Sequence, residues 1–189
     1  MKQKRLLQLR VVLSGSKPEI WRRVALPEDL TLARLHVVLQ VVMGWTNSHL
    51  YQFVVGDAVF GEPDLDEDDP TVRRASAKRL SALAKAGVAN FTYEYDFGDS
   101  WVHEITVEEA LTVDEYAAYP VCLGGSRACP PEDCGGIESY RELLEALRRP
   151  AHEEHQTLSM WVGEEFDPER FDRGAVNRTL VLLTSLGLF

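Results

Sequence analysis

Three cysteines open the question of chemistry. Cys122, Cys129 and Cys134 are separated by six and four residues, in a stretch too rich in proline and glycine to be held by regular secondary structure. A metal would organise such a loop, and zinc takes thiolate and imidazole ligands in a closed tetrahedron. His49, His152 or His155 could complete it, the last two falling at i, i+3 where they can share a helix face. The spacing lacks the tight Cys-x2-Cys knuckle of common zinc sites, so buried thiols acting as small hydrophobes, or a redox pair, stand beside zinc as readings. An odd cysteine count argues against a disulfide framework.

A second constellation is acidic. Asp96, Asp99, His103, Glu132 and Asp133 would together bind a hard cation and activate water, as in metal-assisted phosphodiester or amide hydrolysis. The competing reading gives each a local job. Asp99 would bond its own backbone at a hairpin tip, Glu132 and Asp133 would cap a turn, and His103 would pack among aromatic rings. A third set, Arg10, Trp21, Arg22 and Arg23, would make a recognition surface on an N-terminal hairpin, where a tryptophan beside arginine suits protein or nucleic acid.

The elements that must position these residues follow from periodicity. Leu7, Leu9, Val11 and Leu13 alternate with polar neighbours over 5–13, and Ile20, Val24 and Leu26 share a face after the Ser14–Pro18 turn, which predicts a hairpin. Leu32, Leu35, Leu39, Val42 and Met43 then form a helical stripe, with Thr31 as N-cap and Gly44 as the residue that ends it. A third strand is expected at 49–55 and a short helix around Leu80 and Leu83. Phe91, Tyr93, Tyr95 and Phe97 alternate up to Gly98-Asp99-Ser100, and Trp101, His103, Ile105 and Val107 alternate after it. A three-residue loop would pair Phe97 with Trp101, Tyr95 with His103 and Tyr93 with Ile105, keeping one apolar face. Asp96 then points away from that face. His36 sits on the margin of the helix stripe as a packed side chain. Residues 117–136 read as irregular, followed by a helix ending near Pro150, a helical piece at 152–162 and a last helix through Val176, Leu180 and Leu183, begun by Asp167-Pro168.

This order predicts an α+β fold: a ubiquitin-like β-grasp-type mixed sheet packed on one long helix, with a helical C-terminal lobe. The expected division is 1–116 for the sheet domain and 117–189 for the cysteine-bearing lobe, forming one structural unit. At 189 residues and 21.3 kDa, with 45% hydrophobic and 26% charged residues, the chain has the composition of a single globular core. No apolar run reaches the length of a membrane span and no signal h-region follows the basic start, so a cytoplasmic location with no membrane partner is expected.

The net charge of −10 is the wrong sign for a general DNA coat. It is uneven: residues 1–23 carry +6 and the remainder −16, which leaves nucleic-acid contact open at the N-terminal hairpin. Residues 71–90 hold five basic residues and no acid. The acidic run 62–69 has neither the glycine nor the closing glutamate of a calcium loop and reads as solvated. No phosphate-binding glycine loop, Ser-His-Asp arrangement or dinucleotide fingerprint is present.

Several blocks carry a family resemblance. Ile20-Trp21-Arg22-Arg23-Val24, Met43-Gly44-Trp45 with Ser48-His49-Leu50, Tyr95-Asp96-Phe97-Gly98-Asp99-Ser100-Trp101, Cys129-Pro130-Pro131-Glu132-Asp133-Cys134-Gly135-Gly136 and Phe166-Asp167-Pro168 resemble the plasmid pRiA4b ORF-3-like family over nearly the whole chain. Ile137-Glu138-Ser139 departs from its commoner Pro/Trp/Gly stretch. The resemblance implies a protein met on plasmids and with insertion elements, without a settled activity; some members are labelled resolvase-like, and no serine-recombinase signature is found here. Two functions are therefore carried forward. One is a non-catalytic binding or scaffold domain whose partner is a protein or, through the N-terminal hairpin, nucleic acid. The other is a metal-dependent hydrolase acting on nucleic acid or peptide, with Asp99, Glu132, Asp133 and His103 as its candidate residues.

Overall fold

The computed structural model describes residues 3–62, 71–114, 120–163 and 165–189. The first hairpin forms as its alternation requires: β1 (Gln3–Leu13) pairs antiparallel with β2 (Trp21–Pro27), and Leu7, Leu9, Val11, Leu13, Ile20, Val24 and Leu26 are all buried. Helix α1 (Leu32–Met43) starts where Thr31 Oγ1 accepts the Arg34 N–H at 3.3 Å. It stops at Gly44, whose φ of 95° lets its N–H close on the Gln40 carbonyl. Its five-residue stripe is fully inside.

Beyond α1 come β3 (Tyr51–Val55), β4 (Ala58–Gly61), β5 (Val72–Arg74), a 3-10 turn (Ala75–Ala77), α2 (Leu80–Lys85), β6 (Asn90–Tyr95), β7 (Trp101–Asp114), β8 (Val121–Ser126), α3 (Gly136–Arg148), α4 (His155–Val162) and α5 (Arg173–Ser185). The strands make one sheet in the order β5-β4-β3-β6-β7-β1-β2-β8. Among the described residues the α+β class is thus observed as an eight-stranded mixed sheet with five α-helices. The ubiquitin-like comparison does not extend to the pairing: β1 and β7 run antiparallel at the centre, and the β4–β5 contact at one edge is the parallel pair. The 12-residue α1 is no longer than α3 or α5.

Two sequence expectations shift, each for a local reason. The tyrosine-rich hairpin has a five-residue loop, not three, so Tyr95 faces Trp101 and Tyr93 faces His103. Asp96 adopts φ 58° and its Oδ1 accepts the Gly98 N–H at 3.0 Å, while the Ser100 N–H closes on the Asp96 carbonyl at 2.6 Å. The chain therefore leaves the ladder two residues early. The slip of two preserves the shared face, and Phe91, Tyr93, Tyr95, Trp101, His103 and Ile105 are all buried. The last helix begins at Arg173, with Asp172 Oδ1 accepting the Ala175 N–H at 2.8 Å; Asp167-Pro168 instead forms a single turn closed by Arg170 N–H on the Asp167 carbonyl.

Part of the cysteine-bearing segment is also more regular than its composition suggests. β8 is an edge strand, and Asn177 from α5 covers it like a neighbouring backbone: its Oδ1 accepts the Cys122 N–H at 2.7 Å and its Nδ2 donates to the Cys122 carbonyl at 2.9 Å. The acidic run 62–69 and the boundary at 116/117 lie outside the described residues, except Glu62, which accepts the Tyr51 hydroxyl at 3.1 Å. Among the described residues no helix is long and apolar enough to cross a membrane.

Candidate metal centre

Tyr51 and Tyr95 are partners on neighbouring strands β3 and β6. His49, two residues before β3, and Asp96, the residue after β6, therefore meet at one end of the sheet. The Asp96 N–H donates to the Leu50 carbonyl at 2.9 Å, which fixes the two strand ends together. The left-handed backbone at Asp96 turns its carboxylate inward, where strict alternation would send it out, and the residue is only 6% exposed. One of its oxygens is spent on backbone N–H groups of the turn; the other, Oδ2, lies 3.7 Å from His49 Nε2.

The third side of the site comes from the 129–136 loop. Trp45, just past the end of α1, donates its indole N–H to the Pro130 carbonyl at 3.0 Å. Glu132 Oε1 then accepts the Thr46 N–H at 2.7 Å, the Thr46 hydroxyl at 3.0 Å and the Tyr95 hydroxyl at 3.1 Å. This leaves Glu132 Oε2 3.9 Å from His49 Nε2, and Asp133 Oδ1 stands 3.2 Å from the same nitrogen. Asp133 is a second non-glycine residue at positive φ, 57°. Such backbone conformations cost on the order of 1–3 kcal/mol and persist where surrounding contacts enforce them.

Chemically, three carboxylates surround one imidazole nitrogen that makes no hydrogen bond. The ligand atoms of His49, Asp96 and Asp133 lie within 4.8 Å of one another, and this is the one such group of His, Cys, Asp or Glu among the described residues. Like charges packed this closely repel unless a cation or proton intervenes. Asp96 has one oxygen pinned by hydrogen bonds and the other turned inward, and Glu132, whose Oε2 also accepts the Tyr95 hydroxyl at 3.3 Å, is held beside it, as outer-shell partners orient metal ligands. Asp133 is exposed and leaves the site open to water on its side. The Tyr95 hydroxyl, pushed up to about 12 chiefly by burial and further by Glu132, stays protonated and donates.

The other expected sites do not assemble. His103 is fully buried, its Nδ1 3.4 Å from the Tyr93 carbonyl and its ring edge-on to Trp45; burial pushes its pKa down to about 4, so it is a neutral core residue outside the acidic cluster. Asp99 is held elsewhere, its Oδ2 accepting the Gly135 N–H at 2.9 Å. The cysteines do not gather with a histidine. Cys122 donates to the Gly124 carbonyl, Cys129 packs on Met43 Sδ at 3.1 Å, and His155 bonds the Ala146 carbonyl. Burial keeps the thiols protonated, raising Cys129 to about 11 and Cys134 to about 12.

The N-terminal recognition surface is internally satisfied. Arg22 is 1% exposed, Arg10 pairs with Glu19 at 2.6 Å, and Arg23 pairs with Glu108 through both Nε and Nη2. The Arg10 and Arg23 guanidinium groups both lie against the Trp21 ring, 5.7 and 5.5 Å from its centroid.

Gly136 ties the acidic loop to the hairpin tip. At φ 83°, a Cβ there would sit 2.7 Å from the Asp99 carbonyl oxygen, a backbone atom that cannot swing aside. Gly136→Ala is expected to cost roughly 1–3 kcal/mol in urea unfolding. Wild-type stability in this variant would show that the tip and loop are not in contact.

A family model for plasmid pRiA4b ORF-3-like proteins matches residues 5–175, which include all four residues of the cluster. The chain belongs to that family. Another relative, an uncharacterized protein named y4hQ from Sinorhizobium fredii, is 41% identical over 172 residues, covering 91% of this chain and 86% of the relative. Among solved structures, the pRiA4b ORF-3-like chain is similar to the protein of unknown function MM3350 from Methanosarcina mazei Go1, with a TM-score of 0.84 and 33% identity over 90% of this chain and 97% of that one.

Proposed function

We propose that this pRiA4b ORF-3-like protein is a divalent-cation-dependent hydrolase whose cation is held by His49, Asp96 and Asp133, with Glu132 beside them. The supporting observation is the inward turn of Asp96 Oδ2 toward the unbonded His49 Nε2, with Asp133 and Glu132 closing on the same point. One imidazole with carboxylates suits first-row divalent ions. Held there, such an ion would supply a water of lowered pKa and polarisation of a phosphoryl or carbonyl oxygen. In the hydrolysis this would support, the bond to the leaving group breaks as the water oxygen joins phosphorus or carbon, and the water proton passes to the leaving group. Asp96 and Glu132 are fixed beforehand, so little reorganisation is required of them.

The scaffold reading loses support because the cations of its surface are already taken: Arg10 and Arg23 are paired with glutamates and Arg22 is buried. Calorimetric titration with Mn2+ tests the cation site. One site per chain is expected, weakened at least tenfold by His49→Ala and by Asp96→Asn, with Mn2+-dependent hydrolysis of bis(p-nitrophenyl) phosphate lost in both. Absence of Mn2+ binding, or binding unchanged in both variants, would overturn the cation site; binding without hydrolysis would overturn the hydrolase.

A further inference from the structure

The sheet edge farthest from β8 carries charge of a different kind from the N-terminal hairpin. Tyr93, Phe53 and Phe60 form one buried row across β6, β3 and β4, and Arg73 on β5 is the next residue in that row. The Arg73 guanidinium lies 5.9 Å from the Phe60 ring centroid, and Lys78 Nζ lies 5.6 Å from the same centroid. Two cations thus share one aromatic ring. Arg74 is exposed beside them, and Arg79 and Lys85 follow on α2 and its approach. Among the described residues none of these five forms an ion pair with a carboxylate, whereas Arg10 and Arg23 of the hairpin both do.

We infer that the β5–α2 edge, through Arg73, Arg74 and Lys78, binds the phosphate backbone of nucleic acid. Cations with no carboxylate partner among the described residues, gathered at one edge of a chain of net charge −10, match a polyanion, and arginine and lysine contacts to phosphate supply affinity without reading sequence. The edge also lies toward the same end of the sheet as the candidate metal centre. Arg74 pairs with Gly61, which pairs with Gln52, three residues from His49. Strand spacing places Arg74 about 10 Å across the sheet from β3, and the three residues add about 10 Å along it. A bound strand spanning that distance would bring a phosphodiester to the cation. The inference names a substrate class for the proposed hydrolase and rests on that reading for cleavage, while binding at the edge stands independently of the metal.

The test is fluorescence anisotropy of the full chain with a fluorescein-labelled 20-nucleotide DNA, single-stranded and duplex, in EDTA. Binding is expected to weaken with salt, with a duplex slope of log K against log salt of about −2 to −3 for three phosphate contacts. Exchanging Arg73, Arg74 and Lys78 together for glutamine should weaken it at least tenfold and flatten the slope. Lys4→Gln with Lys17→Gln should change it less than twofold. No binding, binding indifferent to the triple exchange, or displacement of the DNA by poly-glutamate at equal charge concentration would overturn the inference. Because EDTA removes the metal, these outcomes are separate from those of the Mn2+ titration.

Discussion

Replacing Arg22 with alanine is expected to cost about 3–5 kcal/mol of folding stability, the range for removing one member of a fully buried charged network. All five of its N–H donors are used. Nε reaches the Val42 carbonyl at 2.6 Å, Nη1 reaches the Trp21 and Ser126 carbonyls, and Nη2 reaches the Arg127 carbonyl and Cys129 Sγ. The guanidinium also stacks on Phe171 at 4.0 Å. One side chain thus joins β2, the end of α1 and the start of the loop that carries Glu132 and Asp133. Truncation would strand these carbonyls in a dry interior. Arg22→Lys should recover little, since three donors on one nitrogen cannot span the fork. Urea unfolding reads the loss directly. A cost below about 1 kcal/mol for Arg22→Ala would mean that the junction is held by other contacts. The expected companion result is weaker Mn2+ binding in Arg22→Lys, because the loop supplying two carboxylates is released.

Acid is expected to unfold the protein through two histidines before ordinary carboxylates titrate. His36 stacks on Tyr51 at 3.6 Å, its Nδ1 accepts the Tyr93 hydroxyl at 2.8 Å, and its Nε2–H donates to Asn47. His36 and His103 are both buried and held neutral, with pKa values pushed down to about 4 chiefly by burial. The unfolded chain protonates them near 6.5, so it binds more protons than the folded state below that pH. Stability is full above about 6.5, falls as pH drops toward 4, and levels below it. Each shift is worth roughly 3 kcal/mol, and the pair together rivals the ~5–15 kcal/mol net stability of a domain. Urea unfolding at pH 7.5, 5.5 and 4.5 checks this. His103→Leu should remove about half of the pH dependence, with His49, His152 and His155 common to both proteins. An unchanged slope in His103→Leu would contradict the neutral buried state.

What the sequence disclosed, and what it did not, divides by range. Thr31, Gly44 and the leucine stripe specify α1 through contacts within a turn or two, and α1 appears as read. The aromatic face of β6 and β7 was legible because period-two alternation survives a register slip of two. The loop length was not, because it turns on Asp96 taking a left-handed conformation and bonding the next N–H groups. That same turn brings Asp96 inside. The Asp-Phe-Gly-Asp string is turn chemistry that points toward it. Strict alternation also places Arg22 on the face of Ile20 and Val24, a sign that it is buried and not part of the Trp21–Arg23 surface. The meeting of His49, Asp96 and Asp133 depends on strand neighbours and a loop more than thirty residues away, which no local pattern encodes. The cysteines drew attention by rarity, yet their spacing reflects a strand and a core contact instead of a shared ligand.

The central claim is the position of a cation. Crystals of the protein grown or soaked with Mn2+, with diffraction recorded near the manganese absorption edge, measure it directly. The account predicts one anomalous peak bonded to His49 Nε2, Asp96 Oδ2 and Asp133 Oδ1 at about 2.0–2.3 Å. A peak elsewhere, or none beside an intact His49–carboxylate cluster, would contradict it.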